Sequence, residues 1–414
     1  MSTKRACEVL ERRKEFLMPC LNYFYTKPPL FVRANMQYLY DDTGKRYLDF
    51  FAGVSVMNCG HCNPAIIDRV AAQMKTLQHL TNIYITEPVV KLAQRLAAVL
   101  PGDLHNSFFC MSGSEANEGA MLLARIATGK RKFIARKSGL HGRTELTMAA
   151  TGIPMWRADP FLQDDFYFAD TKEEIEAILE KDGDIAAFIS ETIQGNAGIQ
   201  TPEPDYFCNI SPLLKKKGVL FIDDEVQTGF ARTGTMFAIE QYGVTPDIMT
   251  MSKALGNGIP IAAFSTTREI ADRFTKPSAS TLGGNPVSCA AALAVLDYIQ
   301  EHDLCRQAER LGKELQCRLL ALKEKHDCIA FVRGKGLMIG AELVKPGTGS
   351  PWSEGTDFIL EALKDRGIIL GKNGVYRNVL AFQPPLVINH DDIDYLITNL
   401  DEVLTQQASL PAGF

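Results

Sequence analysis

Six short apolar runs punctuate the middle of the chain: Phe108–Met111, Phe133–Arg136, Ile185–Ser190, Val219–Ile222, Ile248–Met251 and Ile261–Ser265. Runs of this length bounded by turn residues read as buried strands. Between them the apolar period changes to that of a helix, as in Ala116, Ala120, Leu123, Ala124 and Ala127 of the stretch from Glu115 to Thr128. Strands alternating with helices argue for an α/β fold with a mostly parallel sheet flanked by helices. Residues 1 to about 35 read as a charged helix, then Pro28-Pro29 and an extended arm. Met36 to Phe50 reads as a small hairpin turning at Asp42-Thr-Gly-Lys45. Pro64 to about Leu100 is expected to be helical, with a break from Thr81 to Pro88. Beyond Pro286 one long helix, Cys289 to about Lys325, is expected to lead into Phe331–Glu342 and a smaller α+β unit. The pattern divides the chain into residues 1–55, 56–288 and 289–414. Lys215-Lys-Lys217 suits the solvated C-terminal end of a helix.

Three strand ends carry chemistry. Lys253 follows the run Ile248–Met251 and precedes Ala254-Leu-Gly-Asn-Gly258. Ligands of open α/β sheets bind outside the carboxyl ends of the strands, and a lysine there can lose solvent, drop its pKa and act as an amine nucleophile. Taken alone, a lysine after a strand is usually a solvated loop residue. Val219–Ile222 ends in three acids, Asp223, Asp224 and Glu225, which by themselves fit a solvated loop equally well. Pairing one of them with Lys253 is the sharper reading, because Schiff-base chemistry on pyridoxal phosphate needs an acid at the pyridine nitrogen. Phe108–Met111 runs into Ser112-Gly113-Ser114-Glu115. This turn opens a helix, and Ser112 and Glu115 have capping-box spacing. Amides at such a helix N-terminus suit a phosphate. An ordinary capped helix would look the same, so the combination of the three ends carries the argument.

The remaining composition narrows the field. A chain of 414 residues, 46% hydrophobic and 22% charged, has the makings of two or three globular domains. A net charge of −5 offers no basic footprint for nucleic acid, and no apolar run reaches the length of a membrane span. The first residues lack the apolar core of a secretory signal. Ten scattered cysteines suggest reduced thiols, so a cytoplasmic location is expected. Cys59-Gly-His-Cys62 is a single Cys-x-x-Cys with no second pair at zinc spacing, and no metal site is expected.

Four stretches resemble the class III aminotransferases, a pyridoxal-phosphate family of fold type I: Ser112-Gly-Ser-Glu-Ala-Asn117, Asp224-Glu-Val-Gln-Thr-Gly-Phe-Ala-Arg-Thr-Gly234, Ser252-Lys-Ala-Leu-Gly256 and Thr281-Leu-Gly-Gly-Asn-Pro286. Lys253 follows Asp224 by 29 positions, the family's interval. The resemblance spans about Tyr38 to Ile388. Met36–Asp41 and Arg46–Phe50 look most like the alanine–glyoxylate type 2 and β-alanine–pyruvate branch. The resemblance implies pyridoxal 5'-phosphate as cofactor, Lys253 and Asp224 as catalytic residues, and a cofactor shell of Ser112, Gly113, Ser114, Leu140, His141, Glu191, Val226, Gln227 and Thr281. It implies small-molecule partners, an amino donor and a keto acid acceptor. It also implies a homodimer, or a tetramer built from it, in which Thr281 of one copy reaches the phosphate of the other and the segment around Tyr84 crosses the interface. Tyr25, Ser55, Val56, Tyr84 and Ala381 are expected near the substrate.

Four positions depart from the family. Leu140 stands where an aromatic stacks on the ring, a loss of about 0.5–1.5 kcal/mol. Leu282 replaces a Phe or Tyr, and Asn196 stands where many relatives have a second glutamate. Ala381 stands where most carry an arginine that clamps the substrate α-carboxylate. In several relatives that glutamate and arginine act as a switch, and here both are gone. Either the donor is an amine or a bulky ω-amino compound, or another cation holds the carboxylate; Arg377, Lys372 and Arg143 are the candidates. A racemase, epimerase or lyase built on the same cofactor is the alternative to transamination. A catalytically dead binding protein is the third reading, opposed by the presence of Lys253, Asp224 and the phosphate turn together.

Overall fold

The computed structural model describes residues 3–408. Its centre is a seven-stranded sheet in the order Asn106–Cys110, Ala262–Thr266, Ile248–Met251, Leu220–Asp224, Ile185–Glu191, Lys132–Ala135, Phe166–Phe168. All neighbours are parallel except Ala262–Thr266, which runs antiparallel to both of its partners. Helices cover the sheet, and the helix Gly113–Thr128 packs its Ala120, Met121, Leu123 and Ala124 onto Phe133, Ile189, Ile222 and Phe264. The expected strands are present with ends shifted by a residue or two. Phe166–Phe168 was not anticipated.

Several local expectations change. The run Val219–Ile222 continues as Leu220–Asp224, so Asp223 and Asp224 belong to the strand. All three acids, Asp223, Asp224 and Glu225, are buried rather than solvated. The expected helix starts at Gly113. Ser112 caps it by accepting the Glu115 N–H at 3.3 Å, but the Glu115 carboxylate accepts from the Met111 N–H at 2.8 Å instead of from Ser112, so the reciprocal box is incomplete. The single helix expected over Cys289–Lys325 is two helices, Pro286–Glu301 and Leu304–Lys325. The chain breaks at His302-Asp303, where Asp303 takes φ +46°, a left-handed conformation that asparagine and aspartate tolerate.

The N-terminal hairpin Tyr38–Asp41/Arg46–Asp49 gains Phe31–Asn35 on one side and the parallel strand Ile368–Ile369 on the other. The arm is therefore stitched to the C-terminal part of the chain. A second four-stranded sheet joins Ile329–Lys335, Met338–Leu343, Val379–Phe382 and Gly371–Asn373. Its Ala381 pairs with Gly340 and Gly371. No helix among the described residues is long and apolar enough to cross a membrane.

Candidate active site

The carboxyl ends of the central strands converge on a cavity of about 200 Å³. Lys253 enters it from the turn after Ile248–Met251 with φ +45°, an uncommon conformation for a residue with a side chain. Loss of water pulls its amine below the ordinary lysine range, while Asp224 and Glu191 oppose the shift. Asp224, at the end of Leu220–Asp224, is held from three directions. Asn117 Nδ2 donates to Oδ2 at 2.7 Å, His141 Nδ1 lies 2.7 Å from the same oxygen, and the Val226 N–H donates to Oδ1 at 3.1 Å. Thr250 Oγ1 donates to Asn117 Oδ1 at 2.6 Å, which fixes the amide.

Glu191 ends the neighbouring strand. Its Oε1 accepts from the Leu140 N–H at 2.9 Å and its Oε2 from the Gly195 N–H at 3.0 Å. Burial pushes its carboxyl up to about 7, with Asp224 adding to the rise and His141 opposing it. Gln227 lies against Gly195 so closely that a Cβ there would stand 1.5 Å from Gln227 Oε1. That oxygen accepts from Gln383 Nε2 at 3.3 Å. On the helix side, Ser112, Gly113 and Ser114 present the first turn of Gly113–Thr128 to the cavity. A Cβ on Gly113 would meet Val226 at 2.9 Å, so the cradle has no spare room.

The structure thus brings together Ser112, Gly113, Ser114, Asp224 and Lys253, and around them Leu140, His141, Glu191, Val226 and Gln227. Asn196 also lines the cavity. The other expected residues lie outside it. Thr281 and Tyr84 are exposed, the latter at 58%. Tyr25 is buried with its hydroxyl donating to the Leu370 carbonyl at 3.4 Å. Ser55 and Val56 follow Ala52, Gly53 and Val54, and Ala52 to Ser55 all have positive φ. Ser55 Oγ is buried without a partner. Ala381 is wholly buried in an apolar cluster with Ile193, Ile199 and Met338, against which Phe51 packs. Leu282 is 49% exposed. His61 of the Cys59-Gly-His-Cys62 stretch turns its Nε2 onto Asp49 at 2.7 Å. The sequence reading missed Asn117, Gly142 and Ser252 as wall residues; Asn117 ends a matched motif, and its position on the inner helix face was the available signal.

The class III aminotransferase pattern matches residues 25–404, and the chain belongs to that family. It is 42% identical over 412 residues to alanine–glyoxylate aminotransferase 2 homolog 2, mitochondrial, of Arabidopsis thaliana, covering 95% of this chain and 86% of that one. Among solved structures, a Bacillus anthracis aminotransferase superposes with a TM-score of 0.92 at 31% identity, covering 98% and 100% of the two chains. A phospholyase from Arthrobacter in complex with phosphoethanolamine superposes with a TM-score of 0.89 at 31% identity, covering 97% and 100%. The chain is therefore an enzyme of amino-group transfer that depends on pyridoxal phosphate. The donor set fits that cofactor. It has an aldehyde for a desolvated amine, a ring nitrogen for a buried carboxylate and a phosphate for helix amides. Two buried nitrogens in the cavity wall, His141 Nε2 and Gln227 Nε2, have no partner within the protein.

Proposed function

We propose that the enzyme moves an amino group from an amine or a bulky ω-amino donor to a keto acid such as pyruvate. The observation that carries this reading is Ala381, sealed among Ile193, Ile199 and Met338 where most relatives present an arginine to an α-carboxylate, with Asn196 on the facing loop in place of a glutamate.

Lys253 is the reacting amine. Burial favours its neutral form, which is the nucleophilic one. Displaced by the incoming amino group, it moves a proton away from the substrate carbon that bears nitrogen and returns it on the other side of the reaction, as base and then acid. The cofactor, when bound, supplies the electron sink for the pair left by that C–H bond. Asp224, fixed by Asn117 and His141, holds the proton of the ring nitrogen. Ser112, Gly113 and Ser114 would hold the phosphate through the helix N-terminus, Gln227 would meet the ring oxygen, and Val226 and Leu140 would pack against the ring, with Glu191 beside them. Thr281 and the segment around Tyr84 serve the site of a second copy in a homodimer. The exposure of Ile83 (71%), Ile85 (97%) and Leu282 supports such a contact. The division at residues 55 and 288 is supported by a central sheet that falls wholly within 106–266. Ten unpaired cysteines support a reducing compartment such as the cytoplasm.

The test is an absorbance scan of the holoenzyme with a panel of amines and amino acids and no keto acid. Loss of a band near roughly 420 nm with growth near roughly 330 nm identifies a donor. A Lys253→Ala variant should show neither the growth near roughly 330 nm nor turnover. The second reading, a lyase, is favoured by the phosphoethanolamine-bound Arthrobacter neighbour and by 34% identity over 440 residues to ethanolamine-phosphate phospho-lyase homolog 1 of Caenorhabditis elegans. Consumption of an amino compound with the 420 nm band intact would decide for it.

A further inference from the structure

A keto acid acceptor brings a carboxylate into the site, and Ala381 cannot meet it. Of the three cations that the sequence offered instead, one is committed elsewhere and one is exposed to solvent. The Lys372 ammonium is hydrogen-bonded to Asp357. Arg143 is exposed beside the helix N-terminus, its backbone N–H donating to Ser114 Oγ at 3.0 Å, on the phosphate side of the cavity.

Arg377 differs from both. It is half-buried, and among the described residues no carboxylate lies within ion-pair distance of its guanidinium. Asp357, the one acid that acts on it through space, is already bonded to Lys372. The guanidinium carbon stands 5.4 Å from the centroid of Phe24, whose ring lies 5.9 Å from that of Phe51. Phe51 in turn packs on the apolar cluster that contains Ala381. The turn that carries Arg377 is fastened to the cavity wall. The Gly374 N–H donates to the Asn196 carbonyl at 3.0 Å, Asn373 Nδ2 donates to the Gly195 carbonyl at 3.1 Å, and the Arg377 N–H closes the turn on Gly374 at 2.9 Å. Asn196 and Gly195 belong to the loop whose Asn196 faces the cofactor cavity. Arg377 itself takes φ +57°, a conformation that a residue with a side chain adopts at a cost.

We propose that Arg377, set over Phe24 on a turn bonded to the Gly195-Asn196 loop of the cavity wall, takes the carboxylate of the keto acid acceptor in place of the arginine absent at 381; this rests on the aminotransferase reading above. Phe24 gives the guanidinium an aromatic neighbour, and its planar fork suits bidentate carboxylate recognition. Burial pulls the guanidinium below the ordinary arginine range, so an arriving anion relieves a desolvated charge. Amine donors without a carboxylate would pack on Phe24 and Phe51 without using the fork, which explains how one site takes both partners in turn.

The experiment titrates propionate, an unreactive carboxylate of pyruvate's size, into the holoenzyme by calorimetry, in wild type, Arg377→Gln and Arg377→Lys. The expected result is propionate affinity lower by at least roughly tenfold in Arg377→Gln, with part of it restored in Arg377→Lys. The loss should weigh at least roughly tenfold more on propionate than on the half-reaction with benzylamine. Propionate affinity in Arg377→Gln within about twofold of wild type would overturn the proposal, as would equal losses on propionate and benzylamine. Should Arg377→Gln not fold, Phe24→Leu removes the platform and should weaken propionate by roughly threefold; unchanged affinity there overturns the proposal too. The titration reads Arg377 directly, so failure of the amine-donor reading, seen as no response of wild type to any amine, is told apart from failure of this one.

Discussion

His141 Nδ1 lies 2.7 Å from Asp224 Oδ2, with both side chains closed off from solvent. The carboxylate that is to face the ring nitrogen is therefore oriented by a ring behind it. Asn117 completes the arrangement by bonding the same oxygen, the His141 carbonyl and the Thr250 hydroxyl.

Removing that amide should be costly on two scales. Asn117→Ala leaves a buried hydroxyl and a buried carbonyl without partners, each worth about 1–3 kcal/mol. We expect a stability loss of about 2–4 kcal/mol by urea denaturation, together with a fall in kcat/KM of roughly tenfold or more as Asp224 loses its alignment. A variant as stable and as active as wild type would show that the network does not align Asp224.

Asp223 and Glu225 flank Asp224 and are wholly buried. Burial pushes Glu225 up to about 7, and burial and then the Glu225 charge push Asp223 well above the usual carboxylate range. Asp223 Oδ1 accepts from Thr192 Oγ1 at 2.7 Å, while Oδ2 has no donor. For a raised carboxyl the folded state binds the proton more tightly than the unfolded chain. The stability it contributes is complete below about pH 4.5 and is lost as pH rises through about 7. The cofactor-free protein should lose on the order of 2 kcal/mol between pH 5 and pH 8. Asp223→Asn keeps the Thr192 bond and removes one of the two charges, so the loss should shrink. Urea midpoints at the two pH values measure it, and an unchanged slope would rule out a shared burden on the pair.

The contrast between Asp224 and its two neighbours shows what the sequence could and could not tell. Asp224 and Lys253 were readable because each closes an apolar run and their spacing matches a known constellation; Ser112-Gly113-Ser114, which alone reads as an ordinary capped helix, was readable only in combination with those two strand ends. The burial of Asp223 and Glu225 was not, since a three-acid run reads as solvated until the elements that cover it are known. The break at Asp303 left no glycine or proline as a signal and did not interrupt the helical period. Ala381 is a departure that the sequence shows, but its neighbours Ile193, Ile199, Met338 and Phe51 come from three separate parts of the chain, and only the folded sheets bring them together. The same holds for Arg377 and Phe24, which are more than 350 positions apart in the sequence and within cation–π distance in the fold.

Gly195 offers an indirect way to test Gln227. An alanine Cβ would stand 1.5 Å from Gln227 Oε1 and 2.5 Å from its Cδ, so the amide must leave. Gly195→Ala should then behave like Gln227→Ala, each weakening cofactor retention on dialysis by roughly tenfold. The double variant should be no worse than either single one, because both act on one contact. Additive losses would mean that Gly195 matters for another reason, most simply its N–H bond to Glu191.

Ala381 tests the substrate reading most directly. Arginine at 381 would place a charge among Ile193, Ile199 and Met338 with Asn196, not a carboxylate, on the facing loop. A buried charge without a partner costs about 3–5 kcal/mol, so Ala381→Arg alone should lower stability by that order. Asn196→Glu supplies the missing acid. In the double variant the two changes should couple by about 1 kcal/mol or more, recovering part of the loss. The same pair should shift preference toward ordinary α-amino acids in the half-reaction, since it rebuilds the fork that holds an α-carboxylate. A double-mutant cycle in urea, run beside the donor panel, measures both. If Ala381→Arg is as stable as wild type and Asn196→Glu adds nothing, the two positions do not form a unit in this enzyme. The proposed selection for amines would then have to arise elsewhere, at Leu140 or along Phe24 and Phe51.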